Sequence, residues 1–374
     1  SVTGDTVSVE VFSSTEKAGE DTNGWLVEVA ENFNSSQPKL ADGRDVRVKV
    51  RAIPSGTGFL YISCGEYLPD AFSPSNHLWV RMVEASGVDT TVVEESLVSN
   101  TAGIIMLSET ADQLRTDLGE ITTSSVVAAV SQGRLTMGYT NPLASSTGLN
   151  FLASVLQSFA NCDSSRMTDP DVASSFEQFQ STVPFVALTT LQLLESIERE
   201  DGSLDAGVME YQTFVNSDRL QRGWEFFPFG ISHDNPLYGI GDTAGPVDDA
   251  LRLFGDFATG ADAQDDARRV GFDPPAYTPE CDIPPGAKLL EAQQLWKDTP
   301  GRPVAAVFVA DVSGSMSGAR INALRQALKL GTDFISGDNS VGLVTFNDQV
   351  QIVMPISEFD QVNRGRLDSA SDQL

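Results

Sequence analysis

The chain has 374 residues and a mass of 40.1 kDa, enough for two or three domains with buried cores. Its 24 Lys+Arg against 52 Asp+Glu give a net charge of −28 and a pI near 4.2. Such a surface repels nucleic acid and anionic membrane and makes both poor partners, while cationic ligands, divalent metals and a salty medium stay open.

No apolar run approaches the roughly 18–20 residues of a membrane helix. Residues 1–5 show no charged leader ahead of an apolar stretch, which fits a cytoplasmic chain or a mature form without its signal peptide. Cys64, Cys162 and Cys281 form no CxxC pair and allow at most one disulfide, with unpaired thiols as the plain alternative.

Along the chain the predicted elements alternate. Residues 7–12 read as a strand, followed by a helix start at Ser13-Ser14-Thr15-Glu16. Trp25, Val29 and Phe33 share one helix face, and residues 46–50 alternate as a second strand. Ile53-Pro54-Ser55-Gly56-Thr57-Gly58 reads as a tight loop of small residues open to a ligand. Residues 68–72 lead through Ser73-Pro74-Ser75-Asn76 into a helix with Trp79 and Val80. This order predicts a doubly wound α/β sheet whose ligand sits beyond the carboxyl ends of its strands.

A second lobe is predicted after residues 103–107. Its strand at 135–139 precedes the hydroxyl-rich stretch 141–148 and a helix at about 149–159. Small hydroxyl residues ahead of a helix make either an anion cradle or ordinary N-caps. Residues 206–211 end another unit, and Phe226-Phe227-Pro228-Phe229 reads as the returning hinge strand. The Pro-rich stretches at 273–279 and 283–286 predict a linker over 284–302.

Beyond it, residues 304–310 read as a strand buried on both faces. It runs into Asp311-Val312-Ser313-Gly314-Ser315, where alternate residues aim a carboxylate and two hydroxyls at one point. Such hard, weakly charged oxygens suit Mg2+ or Mn2+; a capping loop without metal is the alternative. A helix with Ile321, Leu324, Leu328 and Phe334, strands at 341–346 and 349–356, and the start of another helix follow.

Two resemblances rest on these residues. Phe308-Val309-Ala310-Asp311-Val312-Ser313-Gly314-Ser315-Met316 and residues 341–347 resemble a von Willebrand factor A domain, over 303–374. That implies Mg2+ (or Mn2+ or Ca2+) on Asp311, Ser313 and Ser315, completed by an acidic group of a protein partner. The family's further metal-contacting Thr and Asp belong to later loops. The expectation is therefore the N-terminal part of that domain, with a weak site.

Residues 1–283 resemble a bacterial extracellular solute-binding protein of two lobes, here 1–105 with 230–280 and 106–229. The likeness rests on stretches 7–14, 54–58, 69–75, 141–149, 204–211, 233–238 and 270–274. It implies capture of a small solute by Ser14, Ser55, Ser73, Ser145 and Thr147, with Glu210 at the wall of the second lobe.

The hydroxyls suit phosphate, sulfate or molybdate, although no Arg lies in these loops. Tyr61, Trp79 and Tyr238 are either core or platforms for an organic or sugar ligand. The domain order resembles a bacterial surface family with both parts.

No enzyme motif competes. His77 and His233 lie in no catalytic pattern, and residues 314–318 place Met at the centre of a failed G-x-S-x-G. Asp248-Asp249 and Asp265-Asp266 read as solvated helix faces. The sequence thus predicts a non-enzymatic, extracellular or cell-surface binding protein, with room for a lipid anchor on its precursor. Metal-dependent adhesion or assembly is the first reading and a solute receptor for an ABC-type transporter the alternative. A cytoplasmic von Willebrand A protein partnered with an ATPase is a lesser third.

Overall fold

The computed structural model describes residues 2–3, 5–19, 21–198, 204–241, 243–301, 305–332, 335 and 339–374; the expectations for Val304 and Phe334 fall outside these. The two-residue strand β1 (Val2–Thr3) pairs antiparallel with β2 (Thr6–Ser13), whose alternation buries Val7, Val9 and Val11. Helices α1 (Thr15–Ala18) and α2 (Trp25–Ser35) follow, the latter burying Trp25, Leu26, Val29 and Phe33 on one face. Next come β3 (Asp45–Ala52), α3 (Ser55–Ser63), β4 (Ala71–Ser73), α4 (His77–Ala85) and β5 (Thr90–Glu94). β3 and β4 both run parallel to β2, the handed βαβ arrangement that leaves strand ends open to a ligand.

The chain then crosses to a second lobe. There lie β6 (Asn100–Leu107), α5 (Ser108–Leu118), α6 (Thr123–Ser131), β7 (Gly138–Thr140), α7 (Ser146–Phe159) and α8 (Pro170–Thr182). They continue with β8 (Phe185–Ala187), α9 (Thr190–Glu198), β9 (Ala206–Glu210), α10 (Tyr211–Val215) and β10 (Trp224–His233). β6 lies between β9 and β10, antiparallel to both. β7 and β8 pair in parallel, and a bridge from Met137 to Ala206 ties them to β9. β11 (Leu237–Ile240) returns to the first sheet between β4 and β5, followed by α11 (Pro246–Ala258) and α12 (Ala261–Arg269).

The crossings therefore fall at 95–99 and 234–236. β6 and β10 pair with each other nearly end to end, so both hinge strands move with the second sheet. From the sequence these lobe boundaries are expected at 105/106 and 229/230 and the returning strand at 226–229, within β10.

The stretch read as a linker is built differently. It contains α13 (Gly286–Asp298), which buries Leu289, Ala292 and Trp296 in the main core. Gly286 lies so close to α4 that a Cβ there would strike the Arg81 carbonyl. Gln293 Nε2 donates to Pro142 O (2.8 Å) and Trp296 Nε1 to Tyr139 Oη (2.7 Å), so α13 touches both lobes. A disulfide, Cys162–Cys281, pins the approach to this helix onto the end of α7, while Cys64 is exposed and free.

The C-terminal segment has β12 (Ala305–Asp311) parallel to β13 (Ser340–Phe346) and antiparallel β14 (Val350–Glu358), with α14 (Ala319–Thr332) and α15 (Gln361–Asp372). Ala310, Leu328, Val341, Leu343, Met354 and Leu367 form a separate core. β12 is not buried on both faces as expected: Val307 and Val309 are exposed, because the helices described here cover one side of this sheet.

Candidate functional site

β2 and β4 are adjacent and parallel with Ser13 opposite Ser73, so their carboxyl ends stop together. Ile53 N donates to Ser13 O (2.8 Å), which draws the start of α3 to the same place. Residues 53–58 are thus not an open loop. Pro54 fixes the entry and Ser55 is already the first residue of α3, leaving the first-turn amides unpaired within the helix. Asn76 caps α4 by accepting from Leu78 N (3.1 Å), and in the second lobe Ser145 caps α7 by accepting from Gly148 N (3.3 Å).

These three amino ends face one another across the cleft. Gly56 N donates to Ala144 O (3.1 Å), Asn76 Nδ2 to Ser146 O (3.3 Å) and Trp79 Nε1 to Ser146 Oγ (2.9 Å). A Cβ on Gly56 would run into the Leu143 carbonyl, so a glycine is required for the lobes to approach this closely. Converging helix amino ends present partial positive charge and free N–H groups to an anion.

The hydroxyls here carry the chemistry. Ser13, Ser55, Ser73, Ser75 and Thr147 are buried, and their side-chain oxygens have no protein partner. Buried hydroxyls left unpaired cost about 1–3 kcal/mol each unless a ligand or water meets them. Ser14 and Ser145 are set as donors by their neighbours. Ser14 Oγ accepts from Lys17 Nζ (2.9 Å), and Ser145 Oγ accepts from both Thr140 Oγ1 (2.9 Å) and Gly148 N. Each then has its own proton left to give.

Lys17 is fully buried, and its Nζ also donates to Ser73 O (2.8 Å) and Pro74 O (3.3 Å), which uses all three ammonium protons. Burial pulls its pKa down to about 7 against the pull of Glu16 and Glu210. Burial, with the Glu210 charge, pushes Glu16 up to about 7.

The far wall is a hydrogen-bonded chain. His233 Nδ1 lies 2.8 Å from Glu210 Oε1, and Asn100 Nδ2 donates to Glu210 Oε2 (2.7 Å). His233 Nε2 faces the amide nitrogens of Asn76 (3.1 Å) and Asn150 (3.2 Å). Both amides are oriented by backbone N–H groups on their oxygens, from Leu78 and Ile231, so Nε2 is the acceptor and Nδ1 carries the proton.

Of the residues expected at the cleft, the structure groups Ser14, Ser55 and Ser73 with Ser145 and Thr147 from the other lobe, and sets Glu210 in the wall. Trp79 is core, and Tyr238 Oη bonds His77 Nδ1 (3.2 Å) instead of facing the hydroxyls. Tyr61 lines a separate cavity of about 620 Å3 with Phe12, Arg51 and Tyr67. Glu16, Lys17, Asn76, Asn100, Gln212 and His233 were not legible as site residues. Lys17 sits in an ordinary amphipathic turn, and its burial depends on the packing around Ser73.

In the C-terminal segment Asp311 ends β12. Its Oδ1 accepts from Ser313 N (2.8 Å), and these Ser313 bonds hold its carboxyl below the usual range. Ser313 Oγ and Ser315 Oγ are 3.0 Å apart. That spacing fits two neighbouring ligands of an octahedral ion with bonds of about 2.1 Å. Asp311, Ser313 and Ser315 bring one carboxylate and two hydroxyls to this turn, and no group of three His, Cys, Asp or Glu suited to a metal occurs among the described residues.

The family model "Bacterial extracellular solute-binding protein" matches residues 18–273, and "von Willebrand factor type A domain" matches 306–373. No curated protein matches the chain. Similar solved structures include the periplasmic binding protein AfuA from Actinobacillus pleuropneumoniae with fructose-6-phosphate bound (TM-score 0.54, 11% identity, 79% of this chain and 99% of that one). A periplasmic thiamin binding protein (0.52, 9%, 79% and 96%) and iron-bound HitA from Pseudomonas aeruginosa (0.52, 12%, 78% and 99%) are also similar. These likenesses extend the two-lobed fold through most of the chain, and all three are binding proteins. With its two sheets, hinge strands and hydroxyl-lined cleft, the chain belongs to the bacterial extracellular solute-binding protein family and continues into a segment of von Willebrand factor A type.

Proposed function

We propose that the protein is an extracytoplasmic receptor that closes its two lobes on a small oxyanion. The observation that carries this reading is the set of five buried, partnerless hydroxyls, two at the carboxyl ends of β2 and β4 and three at the amino ends of α3, α4 and α7. Lys17, held by Ser14, Ser73 and Pro74, adds a positive charge beside these hydroxyls whenever it is protonated. The solute-receptor role, first set below adhesion, takes precedence because its residues are assembled from both lobes. A disulfide closing 119 residues suits an oxidising compartment outside the cytoplasm.

Titration calorimetry of the whole chain with sulfate, phosphate and molybdate tests it. At least one should bind with a micromolar Kd, and Ser55→Ala or Thr147→Ala should each weaken it about 10–100-fold, the worth of one hydrogen bond to a charged group. No heat and no thermal shift with any of the three would overturn the reading.

The Ser313–Ser315 spacing favours a second role for the C-terminal segment, a divalent cation held by Asp311, Ser313 and Ser315 for contact with an acidic group of a protein partner. A cation there offers an open coordination position to that group. Mg2+ and Mn2+ should bind in the micromolar-to-millimolar range, and Asp311→Ala should abolish it. Equal heats in both proteins would remove this role.

A further inference from the structure

The chain crosses between the lobes three times. The crossings at 95–99 and 234–236 lie side by side, joined by Leu97 N to Asn235 O (3.2 Å) and Asn235 Nδ2 to Val98 O (3.1 Å). Two adjacent connections form a hinge about which lobes rotate. The third crossing follows α12, the last helix of the first lobe. It reaches the second lobe at Cys281, bonded to Cys162 just past α7, and at Asp282, whose carbonyl accepts from Gln157 Nε2 (2.8 Å).

α13 stands directly behind this anchor and meets the two lobes in different ways. Among the described residues, the hydrogen bonds its side chains make outside the helix all go to the second lobe. Gln293 reaches Pro142 O, Trp296 reaches Tyr139 Oη, and Glu291 Oε2 accepts from Thr168 Oγ1 (2.9 Å). Toward the first lobe it offers apolar surface to α4. Gly286 abuts the Arg81 carbonyl, and Leu289 and Ala292 share one buried core with Met82 and Val83 of α4. Directional bonds and a covalent link make α13 part of the second lobe, while packing alone joins it to the first.

The second lobe therefore holds α4 at two places. The amino end of α4 meets Ser146 through Asn76 and Trp79, and its later turns lie against α13. Rotation about the hinge carries α4 away from Ser146 and at the same time drags it across α13. Packed helix faces resist that movement, because separating them returns Leu289 and its neighbours to water.

We propose that α13 is a clasp: fixed to the second lobe, it grips α4 of the first and keeps the cleft closed before any solute arrives. Entry then waits on release of the clasp, since the fraction of open molecules limits how readily a solute gets in. The device is independent of which solute the cleft takes.

The test is single-molecule energy transfer on the whole chain without added solute. Maleimide dyes sit on Glu31→Cys in α2 and Gln178→Cys in α8, both exposed positions, in a Cys64→Ser background. With α13 intact the labelled chain should show one dominant short-distance population. Gly286→Ala, which pushes α13 off α4, and Cys281→Ser, which frees its approach from the second lobe, should each raise the open-to-closed ratio about tenfold. Lys297→Ala, on the exposed side of α13, should leave the distribution unchanged.

Thermal unfolding verifies that each variant is folded at the temperature of the measurement, and the chain with α13 intact decides the matter if neither variant folds. That chain being mostly open without solute would overturn the clasp. Variants as closed as their parent would overturn it too, as would an equal opening in Lys297→Ala.

Discussion

Lys17 and Glu16 are adjacent in sequence and titrate against each other. Glu16 rises from an ordinary 4.5 to about 7, so the folded state holds its proton more firmly and stability falls as pH climbs through that window. Lys17 drops from 10.5 to about 7, so the unfolded chain binds the proton more firmly and stability rises from pH 7 toward 10.5. The ligand-free protein should therefore show a Tm minimum near pH 7, and Lys17→Met should flatten its alkaline limb. A bound anion returns Lys17 to its charged form. At pH 8 binding should take up as much as one proton, read from calorimetry in buffers of different ionisation enthalpy; no uptake would place the anion away from Lys17.

Among elements, α7 and α13 show how far the sequence could be read. The hydroxyl run at 141–148 announced an amino end with spare donors, and Ser145 and Thr147 lie there because capping chemistry is local. The strands at 7–12 and 46–50 were legible from alternation, whereas β5, β8 and β11 are too short or too irregular in pattern to be read as strands from the sequence. α13 was not, since Pro-rich stretches on its approach look like a linker, and its apolar face has meaning only against α4 and Tyr139. The contacts between the lobes were hidden for a similar reason. Gln212 is held in place through Thr22, 190 positions away. Gly286→Ala should push α13 off α4, lowering stability by about 1–3 kcal/mol as overpacking does and shifting Trp296 fluorescence toward that of exposed indole. An unchanged spectrum would show that α13 tolerates the displacement.

For the whole molecule, closure hangs on Gly56. Gly56→Ala should leave each lobe folded but hold them apart, with a larger radius of gyration in solution scattering and anion affinity down at least tenfold. A closed, binding-competent variant would mean that the lobes close by another approach. The net charge of −28 acts at longer range, since it repels the anion proposed for the cleft. Salt screens that repulsion, so the association rate should rise with ionic strength, the reverse of ordinary steering.

The Cys162–Cys281 bond has a consequence for how long the molecule survives proteolysis. It encloses half of the second lobe, the returning hinge strand and the last two helices of the first. A protease that cuts the chain once anywhere inside that ring severs the backbone but does not separate its parts. The amino-terminal piece keeps its hold on α13 and on the von Willebrand segment beyond it, and the two pieces part only when a reductant reaches the sulfurs.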